Sequence, residues 1–225
     1  KNARVHPLTV LLAMTTYRSG HGLKGSLQWK VNDKIIEALE KAFLLAFQNV
    51  EPTGKRFCLA FDVSGSMGST IMNTNLSCRE ASAALGMCFL KKEPKVECMA
   101  FCHKFTPLPF TNAWDLMKMV DHIRVMDFGS TDCSLPMVWA TEEKKEFDVF
   151  MVFTDNETYA GNVKPHEALQ TYRKALNIPD AKLVVVGMTA TNFTIADPTD
   201  PGMLDVVGFD SAVPELVRSF VLGQI

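Results

Sequence analysis

The order of apolar runs in this 225-residue chain predicts an α/β fold: a Rossmann-like, doubly wound and mostly parallel sheet preceded by a short helical segment. Three observations lead to it. Short, largely apolar runs recur at 56–62, 95–101, 148–155 and 182–188, as in strands covered on both faces. Between them lie stretches with the three-and-four spacing of helices, and strands alternating with helices build parallel sheets. Hydrophobic residues make up 47% of the chain, enough for one sizeable core.

Residues 7–18 (PLTVLLAMTTYR) read as a helix opened by Pro7, whose missing N–H is no loss in a first turn. Ser19-Gly20-His21-Gly22 closes it, and the glycine-rich stretch 19–30 reads as a loop. A second helix over 32–50 would bring Ile35, Leu39, Ala42, Phe43, Ala46, Phe47 and Val50 to one face, with Glu51-Pro52-Thr53-Gly54 ending it. The chain thus divides into a helical segment, 1–50, and an α/β unit, 51–225. Strand 56–62 opens that unit. Ser77 and Glu80 have the spacing of a capping box and start a helix that runs to about residue 90. After strand 95–101, the run 105–110 contains Pro107 and Pro109 and fits only a sheet edge. Further helices are expected at 114–124, 134–143, 165–176 and 213–222, and strands at 148–155 and 182–188.

Charge is nearly balanced, 23 basic against 25 acidic residues, which excludes a polycation. Its distribution is uneven. Residues 1–32 hold Lys1, Arg4, Arg18, Lys24 and Lys30 and no acid, so the other 18 basic residues face all 25 acids. The six cysteines lie mostly in apolar runs, where a free thiol behaves as a small hydrophobe. No export signal opens the chain, and no run of about 18 apolar residues could span a bilayer. Reduced thiols without a signal point to the cytoplasm, and also the nucleus, with no membrane association. A start at Lys1 instead of Met fits a fragment of a longer protein.

Ligand sites in open α/β sheets lie beyond the carboxyl ends of the strands. Three oxygen-rich turns fall there: Asp62-Val63-Ser64-Gly65-Ser66, Gly129-Ser130-Thr131-Asp132, and Thr154-Asp155-Asn156-Glu157. Hard oxygens of this kind suit Mg²⁺ or Mn²⁺ and not zinc. Two carboxylates only neutralise a dication, so such a site would accept one more anionic oxygen from an acidic partner or a phosphate. Asp132 reads as a loop or cap residue, and Glu157 at most as an outer-shell residue.

Asp62-x-Ser64-x-Ser66 with the later Thr131 and Asp155 resembles the metal-ion-dependent adhesion site (MIDAS) of von Willebrand factor A domains. The resemblance implies that Ser64, Ser66 and Thr131 contact the ion and that Asp62 and Asp155 act directly or through water. A closer resemblance covers nearly the whole chain. Asn2-Ala3-Arg4-Val5-His6-Pro7, Gly20-His21-Gly22-Leu23, the segment 50–57, Thr131-Asp132-Cys133-Ser134-Leu135-Pro136-Met137, the segment 153–158 and Phe193-Thr194-Ile195-Ala196-Asp197-Pro198 are similar to the Ro/SS-A autoantigen family. That family joins a ring of helical repeats to a C-terminal A domain and binds Y RNAs and defective small RNAs. The resemblance implies that residues 1–50 are the end of the ring, with a small non-coding RNA as partner of the full-length protein and an acidic protein ligand at the metal. Arg4, Arg18 and Lys24 are the candidate RNA contacts of this chain.

Enzyme signatures fail. Gly54-Lys55 lacks the first glycine of a P-loop, Ser64 stands where a nucleophile elbow needs glycine, and no histidine lies within the three turns. Cys98, Cys102 and His103 lack a second pair with zinc spacing, and the even spacing of the two cysteines suits a strand's core face. Met87, Met117 and Met119 read as core filler. The expected protein is therefore not an enzyme. The alternatives are a Mg²⁺-dependent adhesion module without an RNA role and, less so, a metal-dependent hydrolase.

Overall fold

A computed structural model of the chain describes residues 5–126, 129–155, 160–190 and 194–225. Helix α1 (Pro7–Arg18) carries Pro7 in its first turn, and His6 Nδ1 caps it by accepting the Leu8 N–H at 3.2 Å. Helix α2 (Asp33–Ala46) begins after Asn32, whose side chain accepts the Lys34 N–H. It tightens into a 3-10 turn at Phe47–Asn49, so the expected helix to residue 50 stops short. The expected apolar face is only partly used. Phe43, Ala46 and Phe47 are buried, whereas Ile35 is exposed, as are Leu44 and Leu45.

Six strands form one sheet: β1 (Arg56–Asp62), β2 (Lys95–Phe101), β3 (Phe105–Leu108), β4 (Val149–Thr154), β5 (Lys182–Gly187) and β6 (Met203–Val207). Their order is β3-β2-β1-β4-β5-β6, parallel throughout except for the β2–β3 pair. The expected edge strand with Pro107 is β3, where a residue without an N–H breaks no interior ladder. Strand β6 was not expected. It is short, and only Met203 and Val206 are buried, so its apolar pattern is faint.

Helices α3 (Cys78–Leu90), α4 (Leu116–Arg124) and α7 (Val213–Val221) share one apolar cluster with α1 and α2 on one face of the sheet. Helices α5 (Leu135–Glu142) and α6 (Pro165–Ala175) cover the other face. Cys98 and Cys102 fall in the first cluster, as their even spacing predicts. Trp114 lies outside α4, because Asp115 caps that helix by accepting the Lys118 N–H at 2.8 Å. Met87 and Met119 are core residues, but Met117 is half exposed on the outer face of α4 and fills no core. Among the described residues no helix is long and apolar enough to cross a membrane.

Helix α3 packs tightly on the sheet. A Cβ on Gly86 would come within 2.5 Å of the Phe61 ring, so only glycine permits this approach. Phe61 in turn stacks on Phe153 of β4 at 5.0 Å between ring centres. These contacts fix the ends of β1 and β4, the two central strands between which the winding reverses direction. A crevice opens at such a reversal, beyond the carboxyl ends of the strands.

Candidate metal centre

Asp62 is the last residue of β1 and is almost fully buried. Its Oδ1 accepts the Ser64 N–H at 2.8 Å, which folds the chain back into a turn and aims the serine side chain along the crevice. Its Oδ2 accepts the Thr154 hydroxyl at 2.9 Å, joining the ends of β1 and β4. The parallel register pairs Phe61 with Phe153, so Asp62 and Thr154 are opposite each other by construction. Ser64 and Ser66 bring their hydroxyl oxygens to 3.0 Å, with Ser64 buried and Ser66 exposed at the rim.

Asp155 follows Thr154 and is buried, its carbonyl accepting the Thr189 hydroxyl at 2.6 Å. Burial pushes the Asp62 carboxyl up to about 6; its hydrogen bonds from Ser64 and Thr154 work against the rise, and the nearby Asp155 charge adds to it. Burial likewise raises the Cys78 thiol, with Asp155 and Asp62 both contributing. Both acids thus act on Cys78, the first residue of α3.

The third turn reaches the same edge through β2. The Asp132 N–H donates to the Cys102 carbonyl at 3.1 Å, and the Val63 N–H donates to the Phe101 carbonyl, so both turns hang from consecutive carbonyls at the end of β2 and just beyond it. Thr131 is buried beside them and accepts the Ala160 N–H at 3.0 Å through its carbonyl. Asp132 holds its own loop, Oδ1 accepting the Ser134 N–H and hydroxyl, as expected of a cap residue. A side chain at Gly161 would collide with the Asp132 carboxylate, so the chain after β4 lies directly over this loop.

Asp62, Ser64, Ser66, Thr131 and Asp155 therefore lie on one edge of the sheet. Arg18 pairs with Glu40 at 2.8 Å, Lys24 is exposed in the loop after α1, and Arg4, Asn156 and Glu157 lie outside the described residues. Three residues take roles that the sequence reading did not give them, although it named Thr154 in its turn and His103 as a weak zinc candidate. Thr154 anchors Asp62; the register of two strands distant in sequence places it. Arg79, on α3, is buried and points its Nη2 at the Ser64 carbonyl, 3.5 Å away. His103 packs against Gly129, where any side chain would strike its ring, so a histidine borders the Thr131 turn although none lies within it. A groove of about 520 Å³ between the helical segment and α3–α4 contains none of the five residues.

Residues 56–221 match the family model for the Ro60 vWA domain. The RNA-binding protein RO60 of Caenorhabditis elegans is 52% identical over 225 residues, all of this chain and 35% of that protein. The RNA-binding protein RO60 of Deinococcus radiodurans is 43% identical over 227 residues, again all of this chain and 43% of that protein. The crystal structure of the Deinococcus radiodurans RO (RSR) protein superimposes with a TM-score of 0.92 at 42% identity, covering 99% of this chain and 45% of that one. This chain thus spans less than half the length of each of these relatives.

Proposed function

Because the chain belongs to the Ro60 vWA domain family, we propose that it is the A-domain part of an RNA-binding ribonucleoprotein subunit, and that Asp62, Ser64, Ser66, Thr131 and Asp155 hold one Mg²⁺, or Mn²⁺ in its place. One observation carries the metal reading. Octahedral Mg²⁺ with bonds of about 2.1 Å places neighbouring ligand oxygens roughly 3.0 Å apart. The Ser64 and Ser66 hydroxyls stand 3.0 Å apart above two buried carboxylates. The raised Asp62 supports the same reading, since a cation there offsets the burial that disfavours its ionised form and, to a smaller degree, its repulsion from Asp155.

Bound there, the ion would supply a Lewis-acidic grip on one anionic oxygen of an acidic protein ligand. The chain's own residues do the orienting: Thr154 and the Ser64 N–H fix Asp62, and the turn at 64–66 presents both hydroxyls. We read the site as gripping and not catalytic, in keeping with relatives named as RNA-binding proteins. Small non-coding RNA is the partner of the full-length protein. In this chain its contacts fall to Arg4, Arg18 and Lys24, of which Lys24 is exposed and Arg18 shares its charge with Glu40 in a half-exposed pair. The buried free thiols of Cys58, Cys78, Cys88 and Cys98 support a reducing compartment, the cytoplasm or nucleus.

The test is a Mn²⁺ titration followed by electron paramagnetic resonance, on wild type and Asp155→Ala, with labelled Y-type RNA added at low and physiological salt. Saturable Mn²⁺ binding lost in the variant supports the centre; identical curves remove it. RNA binding that weakens with salt and survives chelation supports separate RNA and metal sites. Hydrolysis of a phosphoester dependent on Mg²⁺ would overturn the non-catalytic reading.

A further inference from the structure

Behind the crevice lies a charge that the five-residue set does not include. Arg79 sits in the first turn of α3 with 8% of its surface exposed. Its Nη2 approaches the Ser64 carbonyl at 3.5 Å, a weak contact, and its Nε has no hydrogen-bond partner among the described residues. Neighbouring charges are otherwise engaged. Glu80 accepts the Ser77 N–H and hydroxyl in the capping box, and Arg124 pairs with Asp121 at 2.9 Å. Asp62 lies on the same turn: its Oδ1 accepts the N–H of the Ser64 whose carbonyl Arg79 approaches, and its two oxygens serve Ser64 and Thr154 and no cation among the described residues.

A buried guanidinium without full hydrogen bonding is costly unless its charge is used. Helix propensity does not demand it, since many residues serve equally at that position. We propose that Arg79 is a positioning residue that acts as an internal counter-cation to Asp62: it steadies the 62–66 turn in the metal-free protein, lowers the affinity of the centre for the divalent ion, and leaves the loaded centre with a net positive charge that selects an anionic ligand. This rests on the metal reading above. The charge count follows directly. Two carboxylates cancel a dication, and the guanidinium adds one positive charge close behind the ion. Repulsion between a fixed cation and a bound dication separated by low-dielectric protein weakens binding of the ion, while the same field attracts a carboxylate that completes its coordination.

A simply structural arginine predicts the opposite sign. Removing it would loosen the turn and weaken the ion. The experiment compares wild type, Arg79→Met, Arg79→Lys, Asp62→Asn and the double variant Asp62→Asn/Arg79→Met. Mn²⁺ affinity is read by titration, acetate binding to the Mn²⁺-loaded protein is read by water-proton relaxation, and thermal midpoints are taken in chelator. Arg79→Met should bind Mn²⁺ about tenfold more tightly, the effect of a 1.4 kcal/mol change, and bind acetate more weakly. Arg79→Lys, which keeps the charge, should restore both values. In chelator, Arg79→Met should lower the midpoint in wild type and lower it less in the Asp62→Asn background. Equal losses in both backgrounds with unchanged or weaker Mn²⁺ binding would overturn the role of Arg79 and leave the metal centre standing. Absence of Mn²⁺ binding by wild type and every variant would overturn the metal reading and this inference with it.

Discussion

Asp62 concentrates the electrostatic cost of the crevice in one residue. Its carboxyl titrates near 6 in the folded chain against an ordinary value of 3.8, chiefly because burial disfavours the ionised form. A group raised in this way contributes stability that is fully present below the unfolded pKa and is lost as pH rises through the folded one. The window therefore runs from about pH 4 to about pH 6, and a shift of this size corresponds to on the order of 3 kcal/mol. Asp62→Asn keeps an acceptor for the Ser64 N–H and removes the charge. In chelator, its stability relative to wild type should rise by about 2–3 kcal/mol between pH 4 and pH 7, as measured by urea unfolding. A difference that does not change with pH would assign the titration to another group. With Mn²⁺ present at neutral pH the ranking should reverse, since only wild type gains the linkage stabilisation of a bound ion.

Helix α3 connects the core to the crevice, and two of its positions separate those functions. Ser77 and Glu80 satisfy reciprocal donors at its first turn, with Ser77 N–H donating to Glu80 at 2.7 Å. Ser77→Ala should cost about 1 kcal/mol in urea unfolding. Gly86 lies in the second half of the same helix, against Phe61. Gly86→Ala gains helix propensity of about 1 kcal/mol but forces a methyl into the ring, and overpacking of about 1–3 kcal/mol outweighs that gain. Phe61 immediately precedes Asp62, so the displaced ring should also weaken Mn²⁺ binding. Lost stability with unaltered Mn²⁺ affinity would mean that the strand absorbs the strain before it reaches the turn.

At the scale of the molecule, the helical segment and the sheet are joined by one apolar cluster that runs from Leu8, Leu11, Phe43 and Phe47 to Phe57, Leu59 and Phe89. Shared burial of this kind makes the parts unfold together. Phe43→Ala should cost about 3–4 kcal/mol and lower the unfolding midpoint of the whole chain in a single transition. Far-ultraviolet dichroism and tryptophan fluorescence should give coincident curves, because Trp29 lies in the helical segment and Trp114 and Trp139 in the α/β part. Two separated transitions would show that the segment melts independently.

Neighbouring residues account for the local terms of this structure. Strand β1 spans the same residues as its apolar run, and α3 begins at the capping box that Ser77 and Glu80 announce, because periodicity and end-capping are properties of neighbouring residues. The place of Asp62, Ser64, Ser66 and Asp155 was legible for a related reason, since polar residues at the end of a buried strand lie at its mouth, whereas Thr131 follows α4 and reaches the crevice through the Asp132–Cys102 contact. Tertiary structure decided the rest. The pairing of Asp62 with Thr154 needs the β1–β4 register, the burial of Arg79 needs α3 seated on the sheet, and the exposure of Ile35 needs the angle at which α2 meets the core. Strand β6 belongs there too, since a short edge strand owes its conformation to the β5 backbone it pairs with more than to its own side chains. Each depends on contacts between residues far apart in the chain, which no local pattern encodes.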